Sequence, residues 1–89
     1  MRTADDHLKS FLDDIRLARD QEDAEAIGRE RFSSLVMHYP SLLDAILREA
    51  KRSHRVRGAV SAGRYYSGLS DAMCERIDAV LTVPFPGAT

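Results

Sequence analysis

Apolar residues recur with a helical period through most of this chain. Between residues 8 and 18, the i, i+3, i+4, i+7 spacing of one helix face is formed by Leu8, Phe11, Leu12, Ile15 and Ala18. No stretch alternates apolar and polar residues as a half-buried strand does. The pattern therefore predicts an all-α fold, a small single-domain bundle of four or five helices that is helical from about Asp5 to Leu81.

Capping residues indicate where the first helices begin and end. Asp20, followed by Gln21, Glu22 and Asp23, is typical of an N-cap with an acidic first turn. This break predicts that the first two helices form an antiparallel hairpin. The second helix should end at Tyr39, because a residue before proline is steered out of the α region, and Pro40 should open the third helix.

The C-terminal half of the chain is patterned less evenly. Ser70 predicts the N-cap of a last helix, with Leu69 as a staple residue ahead of it. The conformation of residues 53–69 stays open, although tight helix packing explains its glycines more simply than a phosphate-binding loop does. We expect a helical domain over residues 1–83 and a flexible tail over residues 84–89, where Pro84 and Pro86 stop the last helix.

Eight large apolar residues are predicted to form one shared core, since they occupy the apolar stripes of the successive helices. They are Phe11, Ile15, Phe32, Leu35, Ile46, Leu47, Ile77 and Val80. A chain of 89 residues has room for only one such core.

Charge is distributed unevenly along the sequence. Residues 1–30 carry a net charge of −4, whereas residues 48–64 hold six bases and the single acid Glu49, a net charge of +5. An asymmetry of this kind points to an anionic partner or to an acidic surface within the fold. We favour a partner-binding face formed by Arg48, Lys51, Arg52, Arg55, Arg57 and Arg64.

Two apolar residues lie on the polar side of their helices. Leu17 and Met37 are each about 180° from the apolar stripe of their own helix, so both should be exposed. We interpret them as further partner-binding residues that are too far apart to form one patch. They also favour self-association, most simply as a homodimer, because a small domain without disulfides has a limited core.

No motif in the sequence predicts catalysis, a cofactor or a metal. His7, His38 and His54 lack the spacing that places two ligands on one helix face. The stretch from Gly58 to Tyr65 has the glycine spacing of a phosphate loop but lacks its Lys and Ser or Thr. We therefore expect a chain that is not an enzyme.

Composition narrows the setting in which such a chain works. The longest apolar runs are triplets, far short of the about 20 residues of a membrane span, so no membrane partner is expected. Cys74 is the only cysteine, which favours a reducing compartment, and we expect a cytoplasmic protein. The predicted function is that of a regulatory or adaptor protein acting by protein–protein binding. The alternative is a nucleic-acid-binding regulator, with DNA as one candidate target, that uses the basic segment 48–64.

Overall fold

The computed structural model describes residues 3–64 and 69–83 of the chain. Within these ranges it contains five helices and no strand, which confirms the predicted all-α bundle. The helices are α1 (Ala4–Arg16), α2 (Gln21–His38), α3 (Leu42–Ala50), α4 (His54–Gly63) and α5 (Asp71–Leu81). The tail predicted over residues 84–89 lies outside the described residues, as do Tyr65, Tyr66 and Gly68.

The two predicted helix starts at Asp20 and Ser70 are confirmed. The Asp20 carboxylate accepts a hydrogen bond from the Asp23 backbone N–H at 2.9 Å, so α2 begins anew after α1 has ended. The Ser70 hydroxyl accepts from the Met73 backbone N–H at 3.2 Å. Each bond satisfies one of the N–H groups that a helix start leaves without a partner.

The start of α3 differs from the prediction. The helix begins at Leu42, two residues after Pro40, because residues 40 and 41 form a turn. In this turn the Tyr39 carbonyl accepts from the Leu42 backbone N–H at 2.9 Å. The second helix ends at His38 with Tyr39 as its C-cap, so the restriction before proline acts where it was predicted to act.

Residues 53–69, whose conformation the sequence did not decide, are helical over most of their described part. Ser53 is the N-cap of α4, and its hydroxyl accepts from the Val56 backbone N–H at 3.3 Å. Because α4 runs through Gly58 to Gly63, this stretch is a helix and not a phosphate-binding loop.

Seven of the eight predicted core residues are buried, and Leu35 is the exception. Leu35 is half-buried against the edge of the core, and Val36 takes the inward position instead. The buried row of α2 follows an i, i+4 spacing through Ala24, Gly28, Phe32 and Val36. Leu35 therefore lies beside the row that faces the other helices.

The first two helices run antiparallel, as predicted. Asp14, near the end of α1, pairs with Arg31 in the middle of α2. Further from the turn that joins the two helices, the rings of His7 and Tyr39 stack with centroids 5.4 Å apart. Positions earlier in α1 thus meet positions later in α2.

The closest packing in the molecule is between α2 and α4. A Cβ atom placed on Gly28 would lie 2.0 Å from the Ala59 carbonyl oxygen. One placed on Gly63 would lie 2.6 Å from the Gly28 carbonyl oxygen. The backbones of α2 and α4 are in contact at these glycines, and this close packing leaves no room for a side chain at Gly28 or Gly63. Residues 54–63 therefore occupy the centre of the bundle, and α3 and α5 pack around them.

Candidate functional site

Three of the predicted partner-binding bases lie together at the C-terminal end of α3. Arg48 is in the last turn of the helix, and Lys51 and Arg52 follow directly in the turn toward α4. All three side chains are exposed, and none forms an ion pair with a residue in the described ranges. We call these three residues the basic surface.

Arg55 is used inside the fold. Its guanidinium donates hydrogen bonds to the backbone carbonyls of Ile15 and Arg16, both at 3.5 Å, and to that of Ala18. These carbonyls lie at the end of α1, where a helix leaves acceptors without intrahelical partners and carries partial negative charge. Arg55 thus joins the start of α4 to the end of α1.

Arg57 and Arg64 are also engaged within the chain, both with α5. Arg57 donates to the backbone carbonyl of Leu81 at the end of that helix. Arg64 forms an ion pair with Asp78. The segment 48–64 is therefore divided between the exposed basic surface and three arginines that contact other helices.

The nearest acid in the sequence, Glu49, turns away from the basic surface. Its carboxylate accepts a hydrogen bond from Arg16 at 2.8 Å, which links α3 to α1. The base Arg16 thus holds Glu49, the single acid of the basic segment, toward α1. As a result, Glu49 does not neutralise the positive charge of the basic surface.

A groove between α3 and α5 adjoins the basic surface. Its volume is about 360 Å³, and its apolar residues are Leu47, Ala79 and Val80. Its polar residues are Asp44, Arg48, Lys51 and Arg76. Because Asp44 and Arg76 form an ion pair, the charges of the groove that remain uncompensated are both basic.

Sequence reasoning did not identify Arg76 or Ala79 as site residues. The sequence gives α5 a net negative charge, since Asp71, Glu75 and Asp78 outnumber Arg76. In the structure Asp78 is paired with Arg64, while Asp71 and Glu75 remain exposed in the N-terminal half of the helix. Neither exposed acid lines the groove, whose α5 residues are Arg76, Ala79 and Val80. In the sequence, only the helical spacing of Arg76, Ala79 and Val80 could have separated the groove residues of α5 from its acids.

A second cleft lies between α1 and α2. Its volume is about 290 Å³, and it is lined by His7, Glu30, Arg31, Ser34, Leu35, His38 and Tyr39. The Tyr39 ring stacks on His7 and lies 6.4 Å, centroid to centroid, from the His38 ring. His38 Nδ1 lies 2.8 Å from the Ser34 carbonyl oxygen and donates to it, since a carbonyl only accepts.

The sequence spacing of the histidines gave no reason to group His7 with His38. The antiparallel packing of α1 and α2 brings the His7 ring to Tyr39, which directly follows His38 in the sequence. Among the residues that the structure describes, no three His, Cys, Asp or Glu side chains are close enough together to hold a metal ion. The cleft therefore offers ring faces and hydrogen-bonding groups of mixed charge.

Leu17 and Met37 are exposed, as predicted. The exposed fractions of the two residues are 83% and 51%. Leu17 caps the end of α1 near the start of α2, whereas Met37 is in the last turn of α2. The roughly 24 Å of helix between these places, at about 1.5 Å per residue, keeps the two side chains apart.

The neighbouring acids of α1 are parts of surface ion pairs. Asp13 lies 3.8 Å from Arg16, and Asp14 pairs with Arg31 across the hairpin. At the turn that follows, the Arg19 side chain hydrogen-bonds to Asp23 at 3.0 Å, and this bond raises the pKa of Arg19. Pairs as exposed as these orient side chains more than they stabilise the fold.

Among the residues that the structure describes, no helix combines the length and the apolar character that crossing a membrane requires. Comparison of the chain with protein-family models, with curated proteins and with solved structures gave no significant match.

Proposed function

We propose that this chain is a small, non-enzymatic regulatory or adaptor protein that acts by binding another protein. The observation that carries the proposal is the basic surface, Arg48, Lys51 and Arg52, which is exposed and lacks acidic partners in the described part of the chain. Solvated charges of one sign attract a partner of the opposite sign and set its orientation. The partner is therefore a protein with an acidic contact surface.

A protein partner is favoured over the alternative, a nucleic acid. Exposed Asp71 and Glu75 on the neighbouring helix α5 would repel the phosphates of an extended backbone. Three of the six bases in segment 48–64 already contact other helices, which leaves few cations for neutralising phosphates. The apolar residues beside the basic surface favour a partner whose own surface also offers apolar side chains.

Self-association and location belong to the same proposal. A homodimer would cover Leu17 or Met37, two large apolar side chains that are exposed at the end of α1 and on α2.

The cytoplasm is the proposed compartment, since the single cysteine, Cys74, has no second cysteine in the chain with which to form a disulfide.

Affinity capture from cells that naturally express the chain tests this function. The tagged wild-type chain is compared with Lys51→Glu/Arg52→Glu, which reverses two charges of the basic surface. The matched control is Lys9→Glu/Arg29→Glu, which changes the net charge equally at exposed residues of α1 and α2. We expect the wild type and the control to capture the same protein after nuclease treatment, and the Lys51/Arg52 variant to lose it.

Two results would contradict the proposal. Capture that disappears after nuclease treatment would support the nucleic-acid alternative. Equal capture by the wild type and by the Lys51/Arg52 variant would show that the basic surface takes no part in binding.

A further inference from the structure

We infer that the groove between α3 and α5 is a docking site for an amphipathic helix that carries carboxylates beside its apolar stripe. This inference rests on the proposed function, because it names the segment of the partner that the basic surface recognises. Besides being acidic, this segment of the partner must carry a row of apolar side chains.

The floor of the groove supplies the apolar half of the recognition. Leu47 and Val80 are mostly buried in the core, with exposed fractions of 6% and 8%, so they form a fixed base. Ala79 is exposed between the two walls, and its small side chain leaves the groove open. Because Leu47 and Val80 are already nearly buried, most of the apolar area that binding removes from water would belong to the partner's own side chains, which is the main source of affinity in helix-in-groove contacts.

The walls of the groove supply the charge. Arg48 and Lys51 belong to the α3 wall, and Arg52 extends the same positive charge beyond it. Arg76 on the α5 wall is engaged by Asp44, and this ion pair bridges α3 and α5 across one part of the groove. Carboxylates of the partner would therefore meet Arg48 and Lys51, and the charge complementarity fixes the α3 side as the acidic side of the partner helix.

The dimensions of the groove suit a short helix. The α3 wall extends from Asp44 to Lys51, which is two helical turns, or about 10 Å along the axis. A volume of about 360 Å³ is near the lower limit of ligand sites and takes a few side chains. A partner helix would thus insert the apolar residues of two turns and leave its opposite face in water.

Three synthetic peptides of about 14 residues, or four helical turns, serve as probes. The first carries a leucine stripe flanked by glutamates, the second has lysines in place of the glutamates, and the third keeps the glutamates but replaces the leucines with glutamine. Binding is measured by fluorescence anisotropy and mapped by backbone amide chemical shifts of the wild-type chain. We expect the Glu/Leu peptide to shift amides of α3 and α5, and the other two to bind at least about tenfold more weakly.

Filling the groove tests the same site from the protein side. Ala79→Trp occupies the floor without changing charge, and Ala72→Trp is the matched control at an exposed position of α5 outside the groove. We expect Ala79→Trp to weaken binding of the Glu/Leu peptide at least about tenfold, and Ala72→Trp to leave it unchanged. The chemical-shift map of the wild-type chain gives the same answer if the Ala79 variant does not fold.

The outcomes separate this inference from the proposed function. If both acidic peptides bind equally and lose affinity with Lys51→Glu/Arg52→Glu, the docking site is wrong and the proposed function stands. If binding of either acidic peptide is insensitive to that charge reversal, or neither binds, both fail. Tighter binding of the Lys/Leu peptide, or shifts confined to α1 and α2, would also overturn the docking site.

Discussion

Gly28 controls how closely α2 and α4 approach. Its missing Cβ would lie 2.0 Å from the Ala59 carbonyl oxygen, and backbone cannot move aside as a side-chain end can. Gly28→Ala should therefore lower the free energy of unfolding by about 1–3 kcal/mol or more, since overpacking forces the two helices apart. Urea denaturation followed by circular dichroism measures the change.

Gly58→Ala is the matched control for this experiment. A Cβ at Gly58 meets only the ends of flexible side chains, the Gln21 amide at 2.0 Å and the Glu25 carboxylate at 3.2 Å, and both can swing away. Because alanine is a better helix former than glycine by about 1 kcal/mol, this variant should be as stable as the wild type or more stable. Equal losses in the two variants would contradict this account, because the cost at Gly28 would then not be specific to its contact with the Ala59 backbone.

Residue-scale prediction from the sequence succeeded where the signal is local. Asp20 and Ser70 were identified as caps because a capping side chain and the N–H it accepts from are three residues apart. Leu35 was misassigned to the core, since two adjacent helix positions compete for one inward row. Which of the two wins depends on the helix that packs against α2, and Gly28 and Gly63 fix that contact.

At the scale of helices, Arg55 joins two elements that are distant in sequence. Its guanidinium lies among the carbonyls at the end of α1, as the partial negative charge there favours. Arg55→Ala should lower the free energy of unfolding by about 1–2 kcal/mol, because these partly buried carbonyls lose a charged donor. Arg52→Ala, at an exposed position without an ion pair in the described ranges, should change it by less than about 0.5 kcal/mol.

Thermal and chemical denaturation of the two variants checks this difference. It also separates residues that the sequence grouped together, since Arg52 and Arg55 both belong to the basic segment. Equal stability of the two variants would mean that the bonds from Arg55 contribute nothing to the joining of α4 and α1. The sequence could not distinguish the two arginines, because the acceptors are backbone carbonyls, which every residue possesses.

The last helix is attached mainly through side chains at its surface. In α5 the fully or nearly buried residues are Ile77 and Val80, and its polar contacts include Arg57 to Leu81, Arg64 to Asp78 and Asp44 to Arg76. Exposed ion pairs contribute only about 0–1 kcal/mol each and are screened by salt. This helix should therefore open more readily than the central pair α2 and α4.

Native-state hydrogen exchange measures that opening. Backbone amides of α5 should exchange faster than those of α4, and raising the salt to about 0.5 M should accelerate exchange in α5 more than in α4. Uniform protection in both helices would contradict this account of the packing. Protection of α5 that rises with salt would show that apolar contacts, and not ion pairs, hold it.

For the whole molecule, the fold was more predictable than the surface. Apolar periodicity and caps are local signals within each segment, so the all-α bundle and its antiparallel first hairpin could be predicted from the sequence. The groove between α3 and α5 and the cleft around Tyr39 bring together residues from helices that are separate in sequence. Such sites depend on the packing of helices and leave no spacing motif in the chain.

Reversing charges in the protein and in the peptide probe tests most directly whether the basic surface selects an acidic protein segment. The Glu/Leu and Lys/Leu peptides are titrated into the wild type and into Lys51→Glu/Arg52→Glu, with Lys9→Glu/Arg29→Glu as the control. We predict that the wild type and the control prefer the Glu/Leu peptide by at least about tenfold, and that the Lys51/Arg52 variant reverses this preference. The same preference in all three proteins would contradict the account, because the selecting charges would then lie elsewhere on the molecule.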